Sequence, residues 1–350
     1  MAVNSSGPAS WLRAHVLALG ASLLVAAGFV WLLRAGALPV LPGAAAWGGV
    51  RYGAVLGYIA LFAAVHVLRC VRWSLLVSGV ERPAFGLSLG IGLLGSASLV
   101  VLPFRLGEAA RPALVHSRAK LPLGTSAGVM AAERIVDGLV LSVLLCLALL
   151  GARTVSPLPD HIGALPVPAR LIPRIAWLGV SVFGGLALAM VALHGWSALA
   201  RALIERHLGR FSPRLAERAA GAVASVANGF RFLNDAQAAP AFAFFTGLYW
   251  VLNVGGIWLL LWGTGVPAPS LAQATVILGV LGLGLVVPNA PGYFGTFQIS
   301  IYSAMVLFYP LDVVTVAGAA FVFLLYAVQL AVILVGAVGV LVWERLSSAR

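Results

Sequence analysis

Six long apolar stretches dominate the chain, at 14–33, 52–68, 124–150, 175–194, 240–262 and 313–342. A helix crosses roughly 30 Å of hydrocarbon with about 20 apolar residues, so each stretch reads as a membrane span. Composition removes the alternative of a soluble fold. Charged residues are 9% of the chain and hydrophobic residues 61%, whereas soluble domains carry roughly 25% charged residues. The 350 residues leave no room for a soluble catalytic domain of ordinary size, about 100 residues. The expectation is one all-α polytopic membrane domain over 1–350, with a first half at 1–150 and a second at 175–350. The run at 14–33 is too long for a typical signal-peptide core and long enough to span.

Two further apolar segments are interrupted. Segment 84–103 carries Gly86, Gly90, Gly92, Gly95, Ser96 and Ser98 and closes at Pro103. Segment 271–309 is broken from Pro288 to Gly295. Their course follows from the positive charges. With the N-terminus inside and the six spans alternating, the inside receives 16 charges: Arg13, Arg69, Arg72, Arg82, Arg105, Arg111, Arg118, Lys120, Arg201, Arg206, Arg210, Arg214, Arg218, Arg231, Arg345 and Arg350. The outside receives five: Arg34, Arg51, Arg153, Arg170 and Arg174. That asymmetry is the positive-inside bias, and it puts both termini in the cytoplasm of a cell-membrane protein. Segment 84–103 then enters and leaves from the inside, with its tip near Gly95, and 271–309 enters and leaves from the outside. Two re-entrant segments from opposite faces form the inverted-repeat pattern of transporters. The alternative is eight full crossings kinked by Gly and Pro.

The connections differ. Five prolines between 151 and 174 predict a stiff, extended outer loop. In 195–236, Arg206, Arg210, Arg214 and Arg218 recur every four residues with Phe211 and Leu215 between them. This reads either as amphipathic helices lying on anionic headgroups or as a solvated linker. The net charge of +12 fits loops facing anionic lipid rather than nucleic acid. Trp11, Trp31, Trp47, Trp73, Trp177, Trp196 and Trp343 fall near span ends, where tryptophans form interface belts.

Several chemistries are not encoded. The six histidines show no zinc-ligand spacing, Cys70 and Cys146 form no disulfide framework, and there is no phosphate-loop signature. Gly90-Ile91-Gly92-Leu93-Leu94-Gly95 matches a dinucleotide fingerprint but lies in an apolar run without the required strand and helix. No cofactor or metal is expected, and no catalytic residue.

Three motifs remain. Arg105, Glu108 and Arg111 are i,i+3 neighbours on a helix. Glu108 can hold both guanidinium groups, which bind phosphate bidentately, at the inner mouth of a cavity. An anchoring salt bridge is the plainer reading. Glu133, Arg134 and Asp137 lie inside the span 124–150. Each charge at that depth costs about 2.5–3.5 kcal/mol, so the carboxylates must face the interior and pair with Arg134 or with an arginine of the first motif. They form either a structural ion-pair network or a polar lining. The third motif is Asn289, Pro291, Gly292 and Gly295, followed by Thr296 and Gln298. Its prolines and glycines break the helix at depth. A helix restarting near Gly295 would aim its N-terminal amides into the cavity, a place for an anionic group. A passive kink is the other reading.

At these residues the sequence resembles the lysylphosphatidylglycerol synthetase transmembrane-region family. The resemblance rests on Pro103-x-Arg105-x-Gly107-Glu108-x-x-Arg111, Glu133-Arg134-x-x-Asp137, and Pro288-x-x-Pro291-Gly292-x-x-Gly295-x-Phe297. It covers nearly the whole chain. The family includes the flippase half of multiple peptide resistance factors and stand-alone proteins linked to hopanoid or glycolipid pathways. It implies a lipid-translocating domain with two related halves and re-entrant helices. By position, Arg105, Glu108, Arg111, Glu133, Arg134, Asp137, Pro291, Gly292 and Gly295 match the pattern. The aminoacyl-transferase domain of the full resistance factors is expected to be absent, so no aminoacylated lipid would be made. Gln298 stands where the family often has Glu, and a neutral amide cannot supply a carboxylate for a cationic headgroup.

The expected function is a flippase for an amphipathic, phosphate-bearing lipid. The competing expectations are a membrane-embedded lipid transferase and a scaffold for lipid-biosynthesis enzymes. Expected partners are membrane lipids, such enzymes and a second copy of the chain. The tips of the interrupted segments, near Gly95 and Gly292, should meet beside the span 124–150.

Overall fold

Helix length sorts the elements into two kinds. The computed structural model describes residues 24–102, 107–159, 161–162, 164–166, 169–286 and 290–348. Among these, five helical segments are long and apolar enough to cross a membrane. They are α3 (Tyr52–Val77), α6 (Leu123–Gly151), α7 (Ile172–Gly195), α10 (Ala238–Gly263) and the bent pair α13 (Leu311–Thr315) and α14 (Ala317–Ser348). Helix α1 (Leu24–Ala35) is the described part of the first expected span, followed by the short α2 (Ala44–Trp47). At 1.5 Å per residue, the 26 residues of α3 reach roughly 39 Å. The chain is an all-α polytopic membrane protein.

The second kind is short. Helices α4 (Phe85–Val101), α5 (Gly107–Ala119), α11 (Leu271–Gly284) and α12 (Thr296–Met305) have 17, 13, 14 and 10 residues. At that rise each falls short of about 30 Å. They pair as two antiparallel hairpins, α4–α5 and α11–α12. Gly107 permits the first: a methyl group there would collide with the Ser98 carbonyl. In the second, a methyl on Gly284 would collide with the Ser300 hydroxyl, and Tyr309 Oη donates to Gln273 Oε1 at 2.7 Å near the open end.

This moves one expected turn. Gly95 is not a tip; it lies within α4 against the aliphatic part of Arg111. The first hairpin consists of 85–119 rather than 84–103, and its connection holds 103–106, outside the described residues. The glycines of 84–103 let neighbouring elements approach a continuous helix: Gly92 faces Cys70 and Gly95 faces Arg111.

A helix–hairpin–helix order occurs twice, as α3, α4–α5, α6 and as α10, α11–α12, α13–α14. Helices α3 and α10 pack against each other antiparallel, with Gly263 on Ala54 and Gly256 on Tyr58, so the two halves are inverted. The packing is reciprocal: α4 lies against α14, and α11 lies against α6. Gly279 and Gly282 of α11 meet Leu145 and Leu141 of α6.

The connections also differ from expectation. Residues 151–171 are not simply extended. They hold a two-stranded antiparallel ribbon, β1 (His161–Ile162) and β2 (Leu165–Pro166), and a 3₁₀ turn at Ala169–Leu171. The ribbon is tied to the end of α1, where Ala164 N–H donates to the Ala35 carbonyl at 3.0 Å. Segment 195–236 forms α8 (Ser197–Leu208), α9 (Pro213–Asn228) and a 3₁₀ turn at Arg231–Asn234.

Candidate functional site

The span expected at 52–68 runs on to Val77, and that extension builds the site. Arg69 and Arg72 belong not to a loop but to one face of α3. They meet α6, whose i,i+4 pair Glu133 and Asp137 points inward, as the cost of a charge in hydrocarbon requires. Glu133 is fully buried (0% exposed). Its Oε2 accepts from Arg111 Nη1 at 2.8 Å, and its Oε1 accepts from Arg69 Nε at 3.4 Å. Asp137 Oδ1 accepts from Arg72 Nη2. Arg72 also donates from Nε to Thr246 Oγ1 of α10 at 3.0 Å. Its guanidinium lies 4.6 Å from the ring centre of Tyr249 and 5.2 Å from that of Phe242, within range of a cation–π contact.

Arg111 reaches this cluster from the first hairpin. Pro112 follows it inside α5. The side chain crosses Gly95 of α4, where the absent Cβ leaves room for its methylenes, and its guanidinium lies 5.9 Å from the Trp73 ring centre. Arg111 is only 2% exposed. Its ion pair is therefore a long-range one with Glu133 across helices, where a local pair with Glu108 was expected. Its place is the packed interior rather than a cavity entrance. Glu108 is half-buried in the first turn of α5. Trp73 is buried beneath Arg111 rather than set in an interface belt.

The expected pairing through Arg134 does not form, because that side chain is exposed. The other expected partner, an arginine of the first motif, does pair: Arg111 of α5 meets Glu133, and Arg69 and Arg72 of α3 supply the remaining partners of Glu133 and Asp137. Arg69, Arg72, Thr246 and Tyr249 were not among the expected site residues. The available signal was the apolar continuation Trp73, Leu75, Leu76 and Val77 after two arginines spaced i,i+3.

Charge does not balance within the cluster. Three guanidinium groups, Arg69, Arg72 and Arg111, face two carboxylates. Arg111 Nε and Nη2 and Arg72 Nη1 are buried without a hydrogen-bond partner. A buried polar group left unmatched costs about 1–3 kcal/mol, and more when charged. The surplus donors therefore favour an acceptor with negative charge.

The third motif forms the turn of the second hairpin. Gly292 and Gly295 adopt φ of 69° and 88°, in the left-handed region, as does Tyr293 at 59°. A methyl on Gly292 would press on Tyr326 Oη at 2.9 Å, and one on Gly295 would collide with Phe29 of α1. Gln298 is buried, and its Oε1 accepts the Gly295 N–H at 2.7 Å. This amide therefore caps the restarting helix and occupies one donor expected to face an anion. Thr296 Oγ1 donates to the Tyr293 carbonyl at 3.1 Å. The 3₁₀ turn at Pro291–Tyr293 touches α4, so the second hairpin's tip meets the flank of the first. Arg105 and Asn289 lie outside the described residues.

A model of the lysylphosphatidylglycerol synthase TM region matches residues 17–339. The chain belongs to that family. Membership agrees with a polytopic membrane protein and connects the chain with membrane lipids. A curated relative, "Glycosyltransferase AglD" of Haloferax volcanii, is 27% identical over a 307-residue alignment covering 80% of this chain. The alignment spans 48% of that relative, about half its length. No solved structure matches the chain.

Proposed function

We propose that the protein moves a phosphate-bearing lipid between the leaflets of the cell membrane, with the buried arginine cluster holding the headgroup in transit. The observation that carries this reading is the surplus positive charge at Arg69, Arg72 and Arg111, with buried guanidinium donors left over. A phosphodiester carries one negative charge and offers paired oxygens to a guanidinium fork. Its acyl chains can stay in lipid while the phosphate enters the polar interior. Four hairpin helices too short to cross are the elements that can part to admit it. In this reading the hairpins are re-entrant from opposite faces and both termini are cytoplasmic. Arg69, Arg72 and Arg111 leave the loop count, as does Arg105 in the connection of the re-entrant hairpin, and the remaining 12 charges inside still outweigh the five outside.

Reconstitution into vesicles carrying fluorescent phosphatidylglycerol tests this. A membrane-impermeant quencher should reach the label in both leaflets only when the protein is present, and Arg111→Lys should slow that exchange. If the protein leaves the label confined to one leaflet, transport of this lipid is wrong. A lipid transferase would instead yield a chemically altered lipid, and a scaffold would retain biosynthetic enzymes without moving lipid.

A further inference from the structure

The α8–α9 arm takes no part in the cluster, and α8 packs against α9 along one face while its other faces stay open. None of the 12 residues of α8 is fully buried. A helix of that length is marginal in water by itself, and α8 is supported by α9 along only one of its faces. Its exposed apolar side chains share one face: Trp196, Leu199 and Leu203 follow i,i+3,i+7 spacing and are 67%, 56% and 47% exposed. The elbow to α9 presents Phe211, 89% exposed, between Arg210 and Arg214, and Leu215 follows it, also exposed.

The location of the arm selects the surface. Helices α6 and α7 run antiparallel, with Gly138 against Phe183 and Gly179 against Ser142, so Leu123 of α6 and Gly195 of α7 end on the same side. Helix α8 starts directly after α7. Helix α9 is fastened to the first turns of α6, where methyl groups on Gly124 and Gly128 would press into Ser225 and Val226. The arm therefore sits where two spanning helices leave the membrane. Five arginines between Ser197 and Asn228 face two glutamates, and Arg201 is engaged with Glu205 at 3.7 Å. An apolar face rimmed by arginine fits an anionic bilayer surface.

We propose that the α8–α9 arm docks on the anionic headgroups of the leaflet at which α6 and α7 end, with Phe211 inserted as its wedge. This goes beyond the transport reading and stands without it. The test uses the full chain in nanodiscs of phosphatidylcholine with and without phosphatidylglycerol. A nitroxide is attached through Phe211→Cys in a Cys70→Ser, Cys146→Ser background, and amide exchange is measured on the unsubstituted chain. With phosphatidylglycerol, the nitroxide should collide with oxygen severalfold more than with a water-soluble nickel chelate. Amides of 197–208 should exchange severalfold more slowly than without it. The combination Arg206→Gln, Arg210→Gln and Arg214→Gln should abolish the lipid-dependent difference. A nitroxide open to nickel in both discs, with exchange unaffected by lipid, would overturn the proposal and leave the face to a protein partner. Equal insertion in both discs would overturn the role of anionic charge. The exchange measurement decides the question even if the cysteine variants misfold.

Discussion

Glu133 is the hinge of the polar interior, because one carboxylate receives two guanidinium groups from different helices. Replacing it by Gln would leave Arg69 and Arg111 facing each other in a buried site. Removing one partner of a buried pair costs about 3–5 kcal/mol, so Glu133→Gln should lower thermal stability in detergent markedly. Replacing Glu133 and Arg111 together by Leu should cost less than the single change, since Arg69 alone, rather than both arginines, then loses its carboxylate. Arg111→Lys keeps the charge but loses the planar fork. It should reduce lipid transport in vesicles more than it lowers the unfolding temperature. Only part of this cluster was legible in the sequence. Glu133 and Asp137 were readable because charge inside an apolar span must turn inward. For Arg111 two pairings were legible, a local one from its i,i+3 spacing with Glu108 and a long-range one from the need to match a buried carboxylate, and the pair with Glu133 forms. Arg69 and Arg72 were read as loop residues because a charge ends an apolar run on paper, although α3 continues through them.

The hairpins and their braces are open to separate tests. Arg118 at the end of α5 makes a two-pronged salt bridge to Glu344 of α14, with Nη2–Oε2 at 3.2 Å. Arg118→Glu and Glu344→Arg singly should each impair transport, and the two combined should restore much of it. Full activity in both single variants would show that the bridge is not a brace. At the start of α10, Asp235 accepts the N–H groups of Ala238 at 2.9 Å and of Gln237 at 2.9 Å. These bonds to Ala238 and Gln237 hold its carboxyl below the ordinary value, with a smaller contribution from Arg82. The stabilisation is thus present above the unfolded-state value near pH 4 and is lost as the pH falls through the lower folded value. Asp235→Asn should remove that acid-side dependence in a melting series. The second hairpin was readable from its proline–glycine break, because those residues cannot continue a helix. The first was misread for the converse reason. Between packed helices glycine serves close approach without ending the helix, so the turn falls after Val101 rather than at Gly95.

Across the whole molecule, five of the six expected spans are long apolar helices in the expected order, since length and hydrocarbon thickness set them, and the first is described only from Leu24. Which helix lies beside which was not written in any local pattern, because it arises from contacts between distant segments such as α3 with α10. A cysteine introduced at Arg82 or Ser197 should react with an impermeant reagent only from the cytoplasmic face, and one at Arg153 only from the other. The opposite pattern would reverse the assigned orientation. The crossed packing of α4 on α14 and α11 on α6 has a further outcome. Each hairpin leans on a wall supplied by the opposite half, so neither half owns a finished interior. A chain severed within 152–159 should give two fragments that degrade when made singly but survive when made together. The protein would then behave as an obligate heterodimer that happens to be written on one polypeptide.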